Sequence, residues 1–298
     1  MVDGKTKILG VIGDPIEHTF SPAMQNAGLE ALNLNYIYLP FHVKSDNLNS
    51  AIEGAKTLGI RGLNVTIPHK REVITCLDEV DPIANMIGAV NTIKFDYDEN
   101  EGISTKGYNT DAYGCLRAIE EKASVKDKKI TIVGAGGASR AIAFQMASSD
   151  IGELSILNRN FNKAESLAND IKSNLKQLND NFNLNINAYD MDSLKREIQE
   201  SEILIDTTPI GMYPNINDKP IASADMMHDD LIVNDIVYTP METSLIKEAK
   251  KANAEVVYGY KMLLYQGIRS FEIWLGEEAP VKEMENALLK VFRHLNGF

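Results

Sequence analysis

Short apolar runs alternate along this chain with stretches whose apolar positions recur at helical spacing, which predicts α/β architecture with mostly parallel sheets. Lys7 to Ile12 reads as a first strand, Pro22 to Leu32 as a helix, and Tyr36 to Val43 and Leu63 to Val65 as further strands. This half ends near Asp111. A second pattern opens at Lys129: strand Ile130 to Val133, a glycine turn, helix Ser139 to Ala147, strand Leu154 to Leu157 and a long helix from Phe161. The polar stretch 171–187, rich in Asn and Lys, reads as a helix end followed by a surface loop. Strands at Ile203 to Ile205, Leu231 to Asn234 and Glu255 to Val257 continue the second sheet, and helices Lys261 to Leu275 and Val281 to Leu295 close the chain. The apolar face of the first helix, Met24, Ala27 and Ala31, suits either core or a dimer interface.

Composition narrows the class. With 298 residues, 44% hydrophobic and 24% charged, the chain has room for one large domain or two ordinary ones and resembles a soluble globular enzyme. A net charge of −12 without a Lys/Arg run argues against nucleic acid as the main partner. Two cysteines, Cys76 and Cys115, lack metal-ligand or CxxC spacing; both read as buried small residues in a reducing compartment. No signal peptide is expected, and no run nears the roughly 20 apolar residues that span a bilayer, so the expectation is a cytoplasmic protein with no membrane partner.

The turn Gly134-Ala-Gly-Gly-Ala-Ser139 follows a buried-looking strand and opens a helix, the setting in which backbone N–H groups cradle a pyrophosphate; a plain strand-to-helix turn is the alternative. Ser139 stands where the fingerprint usually has Gly or Ala, which predicts slightly wider helix-to-strand packing. An NAD-binding unit usually carries an acid about 20 residues further on. Here the strand ends in Asn158-Arg159-Asn160 with Lys163 beyond, which favours a 2′-phosphate and hence NADP, unless Arg159 is an ordinary surface residue.

In the first half, His18-Thr-Phe-Ser-Pro22 places two hydroxyls at a helix start. Ser21 suits the N-cap, and hydroxyls there also suit a carboxylate. Lys70 alone reads as a solvated lysine, and Asp111 as either a helix cap or a functional carboxylate. His18 and His69 have no third ligand at metal-binding spacing, so no metal is expected.

Taken in order, His18-Thr-Phe-Ser-Pro22, Asn64-Val-Thr-Ile-Pro-His-Lys70, Gly88-Ala-Val-Asn-Thr92, Gly107-Tyr-Asn-Thr-Asp111, the glycine turn, Asn158-Arg159 and Gly259-Tyr-Lys-Met-Leu-Leu-Tyr-Gln266 resemble the shikimate dehydrogenase family over essentially the whole chain. The resemblance implies a two-domain α/β enzyme. Residues 1–112 with 259–298 would bind substrate, and 113–258 would form a Rossmann-type doubly wound NADP-binding domain, with the active site in the cleft between. It implies Lys70 and Asp111 as the catalytic pair, Thr19 and Ser21 on the substrate carboxylate, and Thr66, Asn91, Tyr238 and Gln266 as further substrate contacts. On the cofactor side it implies Gly134, Ala135, Gly136, Gly137, Ala138, Ser139, Asn158, Arg159, Asn160, Lys163, Thr208, Met212 and Gly259. Two departures stand out: Thr19 where serine is usual, and Asp206-Thr-Thr208 where the family reads Asn-Ala-Thr.

The implied reaction is NADP(H)-linked interconversion of 3-dehydroshikimate and shikimate, on the route to aromatic amino acids, by a monomer or homodimer. A lysine beside the reacting oxygen stabilises an alkoxide and shuttles its proton, while a carboxylate orients it. A quinate/shikimate dehydrogenase using NAD as well is the near alternative, kept open by Thr19, Tyr38 and the 171–187 stretch. A non-catalytic shikimate/NADP sensor would be expected to lose the Lys/Asp pair or gain a DNA-binding module. A glutamyl-tRNA reductase would need an N-terminal cysteine nucleophile and a basic surface.

Overall fold

The computed structural model describes residues 2–98 and 102–296. The chain divides into two compact units, Met1–Thr110 with Gln266–Phe298, and Asp111–Tyr265. The first contains β1 (Lys7–Gly13), α1 (Ser21–Ala31), β2 (Tyr36–His42), α2 (Leu48–Thr57), β3 (Gly62–Val65), β4 (Glu79–Val80), α3 (Pro82–Ile87), β5 (Thr92–Asp98) and β6 (Gly102–Tyr108). From α4 (Thr110–Glu120) onward, the second contains β7 (Lys129–Val133), α5 (Gly137–Ala147), β8 (Glu153–Leu157), α6 (Phe161–Leu178), β9 (Asn185–Tyr189), α7 (Leu194–Glu200), β10 (Ile203–Asp206), β11 (Ile232–Asp235), α8 (Ser244–Lys251) and β12 (Glu255–Val257). The unit boundary falls inside α9 (Gly259–Leu275), and α10 (Val281–Asn296) belongs to the first unit.

The sheet of the first unit is ordered β2-β1-β3-β5-β6-β4 and is mixed. β1 pairs in parallel with β2 and β3, whereas β5 runs antiparallel to both β3 and β6. The antiparallel hairpin is absent from the sequence reading, because Thr92–Asp98 and Gly102–Tyr108 are too polar to stand out as apolar runs. One face of this sheet packs a core of Ile12, Val65, Ile93 and Phe95 with Ile52 and Ala55 of α2. Trp274 of α9 lies against β3, its Nε1–H donating to the Ile93 carbonyl at 2.9 Å. A Cβ on Gly62 would fall 2.3 Å from that indole, so only glycine fits there.

Helix α1 buries Met24, Gln25, Gly28 and Leu29. Gly28 brings it close to α9 and α10, since a Cβ there would meet Phe271 and Met284 at about 3 Å. The face expected from Met24, Ala27 and Ala31 is thus corrected: Ala31 is exposed, and Gly28 with Leu29 takes the core side. Cys115 is buried as expected, but Cys76 is only partly buried.

In the second unit all strands are parallel in the order β12-β11-β10-β7-β8-β9, the doubly wound arrangement, with its switch point between β7 and β10. Burial on both faces explains the continuous apolar runs: β10 and β11 are buried along their whole length. The polar stretch 171–187 resolves into the end of α6 at Leu178 and the start of β9 at Asn185.

Candidate active site

In the first unit, α1 begins one residue earlier than expected. Phe20 takes the N-cap position with no side-chain cap, and Ser21 is already helical. The Ser21 N–H donates to Thr19 Oγ1 at 3.4 Å, so the threonine hydroxyl takes over the turn and the expected capping role of Ser21 is overturned. Burial pushes the Tyr38 phenol well above its usual 10, against a smaller lowering from the nearby Ser21 hydroxyl.

Thr66 and Lys70 share the turn that follows β3. His69 N–H donates to the Thr66 carbonyl at 2.9 Å, the Lys70 carbonyl accepts from Val90 N–H at 2.7 Å, and the buried His69 imidazole bonds the Val43 carbonyl through Nε2. The segment is thereby pinned to two neighbouring stretches, at Val43 and Val90, while Thr66 and Lys70 themselves are partly exposed.

Asn91 and Gln266 lie on a network of buried polar side chains. Asn64 accepts from the Tyr38 hydroxyl at 2.7 Å, and its Nδ2 reaches the Asn91 carbonyl, Thr92 Oγ1 and Ser270 Oγ at 3.0–3.1 Å. Thr92, Thr110 and Ser270 form a triangle of hydroxyls 2.8–3.2 Å apart, and Ser270 donates to the Gln266 carbonyl at 2.9 Å. Thr92, Thr110 and Ser270 are absent from the predicted site residues. They lie far from their partners in sequence, and only the fold collects them.

In the second unit, the glycine turn leads from β7 into α5. Gly134 has φ +117°, and a Cβ on it would fall 2.2 Å from Thr207 Oγ1, so both backbone conformation and the neighbouring loop after β10 demand glycine. Gly136 and Gly137 are exposed with no atom within 4 Å of a built Cβ. That open approach to N–H groups at a helix start suits a pyrophosphate. Ser139 is buried and donates to the Gly134 carbonyl at 2.6 Å, so its hydroxyl braces the turn. Ala135 is partly buried and Ala138 exposed.

Beyond β8, Asn158 Nδ2 donates to the Asn160 carbonyl at 2.9 Å, holding the bend that precedes α6. Arg159 and Lys163 are exposed, and among the described residues neither side chain is engaged in an ion pair. Together they can receive a phosphate. Thr208 N–H donates to Asp206 Oδ1 at 2.8 Å, and Met212 is 47% exposed. Gly259 lies under the 236–237 backbone, where a Cβ would come within 2.4 Å of the Val237 carbonyl.

Asp111 stands in the first turn of α4, after Thr110, so it is not the cap. Burial, and then the Asp111 charge, raises the Tyr238 phenol above its usual 10, which brings these two predicted residues into one electrostatic neighbourhood. Asp206 and Asp235 occupy paired register positions at the ends of β10 and β11 and are both buried. Burial, reinforced by the Asp235 charge, pushes Asp206 up to about 7; burial likewise pushes Asp235 up to about 6 against hydrogen bonds from Thr243 and Val237. The departure at Asp206 was legible, but its pairing with Asp235 needs the strand register. Among the described residues no group of three or more His, Cys, Asp or Glu is placed to hold a metal ion. No helix among them is long and apolar enough to cross a membrane.

A doubly wound parallel sheet with an open glycine turn and free basic residues after the second strand, joined to a separate mixed α/β unit, defines the class of Rossmann-type dehydrogenases. Residues 11–93 match the shikimate dehydrogenase substrate binding domain, 117–236 match shikimate / quinate 5-dehydrogenase, and 259–289 match the shikimate 5′-dehydrogenase C-terminal domain. The chain belongs to the shikimate dehydrogenase family. It is 54% identical to a shikimate dehydrogenase (NADP(+)) of Methanobrevibacter smithii over 97% of this chain and 99% of that one. A solved shikimate dehydrogenase in complex with NADP+ aligns with TM-score 0.86 at 45% identity, covering 98% of both chains. The shikimate 5-dehydrogenase of Listeria monocytogenes in complex with shikimate and NAD aligns with TM-score 0.87 at 35% identity, covering 96% of this chain and 98% of that one.

Proposed function

We propose that the protein catalyses the reversible, NADP(H)-linked reduction of 3-dehydroshikimate to shikimate, as a cytoplasmic monomer or homodimer. The observation that carries this reading is that a chain of this family keeps both Lys70 and Asp111 and an open glycine turn followed by exposed Arg159 and Lys163. A sensor without turnover has no need of the first feature.

Each unit supplies one half of the chemistry. In the first, Thr19 and Ser21 hold the substrate carboxylate, and Thr66, Asn91 and Gln266 hold ring hydroxyls. Lys70 stabilises the alkoxide oxygen and passes its proton through Nζ. In the second, the N–H groups of Gly136 to Ser139 hold the pyrophosphate and Arg159 with Lys163 hold the 2′-phosphate. Asn158 and Asn160 shape that corner, while Thr208, Met212 and Gly259 border the nicotinamide. Asp111 is the carboxylate of the catalytic pair, and Tyr238 is a further substrate contact. The bound cofactor contributes hydride transfer to and from the ring carbon. A broader quinate- and NAD-using activity is the second reading, favoured by Thr19 in the place of serine.

Lys70→Ala tests the assignment. We expect turnover of shikimate with NADP+ to fall by about 10³-fold, a loss of the order of a general acid–base contribution, with NADP+ affinity kept within about twofold. Unchanged turnover would remove Lys70 from the chemistry.

A further inference from the structure

The buried network of the first unit fixes what Asn91 can offer a ligand. The Thr110 backbone N–H, which can only donate, points at Asn91 Oδ1 at 2.7 Å, and this settles the orientation of the amide. Asn64 is settled in the same way, because its Nδ2 faces the Asn91 carbonyl, which can only accept. One donor order then satisfies every remaining hydroxyl. Tyr38 donates to Asn64 Oδ1, and Asn64 Nδ2 to Thr92. Thr92 donates to Asn91 Oδ1 at 3.1 Å, Asn91 Nδ2 to Thr110 Oγ1 at 3.0 Å, Thr110 to Ser270 at 3.1 Å, and Ser270 to the Gln266 carbonyl.

Asn91 Oδ1 thus faces the Thr110 N–H at 2.7 Å and the hydroxyls of Thr92 at 3.1 Å and Thr110 at 3.2 Å, all of which can donate to it, while one of its two amide hydrogens has no acceptor among the described residues. The residue is 3% exposed, so that hydrogen has little water to satisfy it.

We propose that Thr92, Thr110 and Ser270 are positioning residues that lock Asn91 as a pure hydrogen-bond donor, so that the site selects a ligand presenting an acceptor oxygen at that point. This rests on the reading of Asn91 as a ligand of a shikimate hydroxyl. The hydroxyl bound there accepts from Asn91 and gives its own proton to another partner. Tyr38 and the Gln266 carbonyl sit at the two ends of the same chain of hydrogen bonds, so a break in the middle loosens the anchor of the amide.

The test pairs Ser270→Ala and the near-isosteric Thr92→Val with shikimate and its monodeoxy derivatives, each lacking one ring hydroxyl. With shikimate, both variants should raise KM about 5- to 10-fold with kcat within about twofold and NADP+ affinity unchanged. With the one derivative that lacks the hydroxyl held by Asn91, variant and parent should bind alike. An equal loss with shikimate and every derivative would mean a general structural defect and would overturn the proposal, as would no loss with shikimate in either variant. Failure of the parent to turn over shikimate would overturn the functional reading itself, and this inference with it.

Discussion

The two units bury polar groups in opposite ways. In the first, Asn64, Asn91, Thr92, Thr110 and Ser270 are neutral and hydrogen-bond to one another. In the second, Asp206 and Asp235 are buried ionisable groups whose hydrogen bonds come from hydroxyls and backbone N–H groups, with no lysine or arginine bonded to them among the described residues. The other end of the same sheet handles a buried carboxylate differently. Burial alone would raise Glu197, but Ser155, Arg196 and Lys129 together hold it below its ordinary value. A charge is thus compensated where only stability is at stake, and left uncompensated at the sheet's carboxyl end, where ligands of doubly wound folds bind.

The largest effect that can break this comparison is expected in the neutral network. Asn64→Ala removes the acceptor of the buried Tyr38 hydroxyl and the donor of Thr92 and Ser270, leaving several buried groups unpaired. A loss of about 3–5 kcal/mol is expected from such a deletion. It should be the same at every pH from 5 to 8, since nothing in the network titrates there. Denaturant unfolding at several pH values would reveal it, and a strongly pH-dependent loss would show that the network is not neutral.

A smaller effect, with the opposite sign at high pH, is expected for Asp206→Asn. A carboxyl whose pKa rises on folding takes up a proton as the chain folds, so its contribution to stability is complete below its ordinary 3.8 and is lost as pH climbs to about 7. Asparagine keeps the Oδ1 acceptor for Thr208 N–H without the buried charge. The variant should be more stable than the parent at pH 8, by roughly 1–3 kcal/mol, and nearly equal to it at pH 4. The slope of melting temperature against pH should flatten but persist, because Asp235 still titrates. Parallel curves for parent and variant would mean that Asp206 is not the group responsible.

The units also differ in how far their sequences could be read. The second was legible almost strand by strand, because two-sided burial writes continuous apolar runs such as Ile203 to Ile205 between helical periods. The hairpin of β5 and β6 in the first was not, since residues such as Lys94, Asp96 and Lys106 keep a wet face. Motif residues were found through their order along the chain. Their support was hidden: Ser270 reads as one more polar residue on a helix until the fold brings it, 206 positions away in sequence, to Asn64. Ser21 was misread as a cap for a related reason, because the Thr19 hydroxyl that replaces it lies only two residues away and offers the same chemistry.

The central claim is a division of labour in one oxidoreductase, with the shikimate carboxylate and ring hydroxyls held chiefly by the first unit and NADP by the second, which also lends Asp111 and Tyr238 to the substrate. Its most direct test is the rate of reduced nicotinamide formation with shikimate or quinate crossed against NADP+ or NAD+. The account predicts turnover concentrated in the shikimate–NADP+ pairing, the cofactor preference coming from Arg159 and Lys163. No turnover in any of the pairings would contradict it and leave a binding protein in its place.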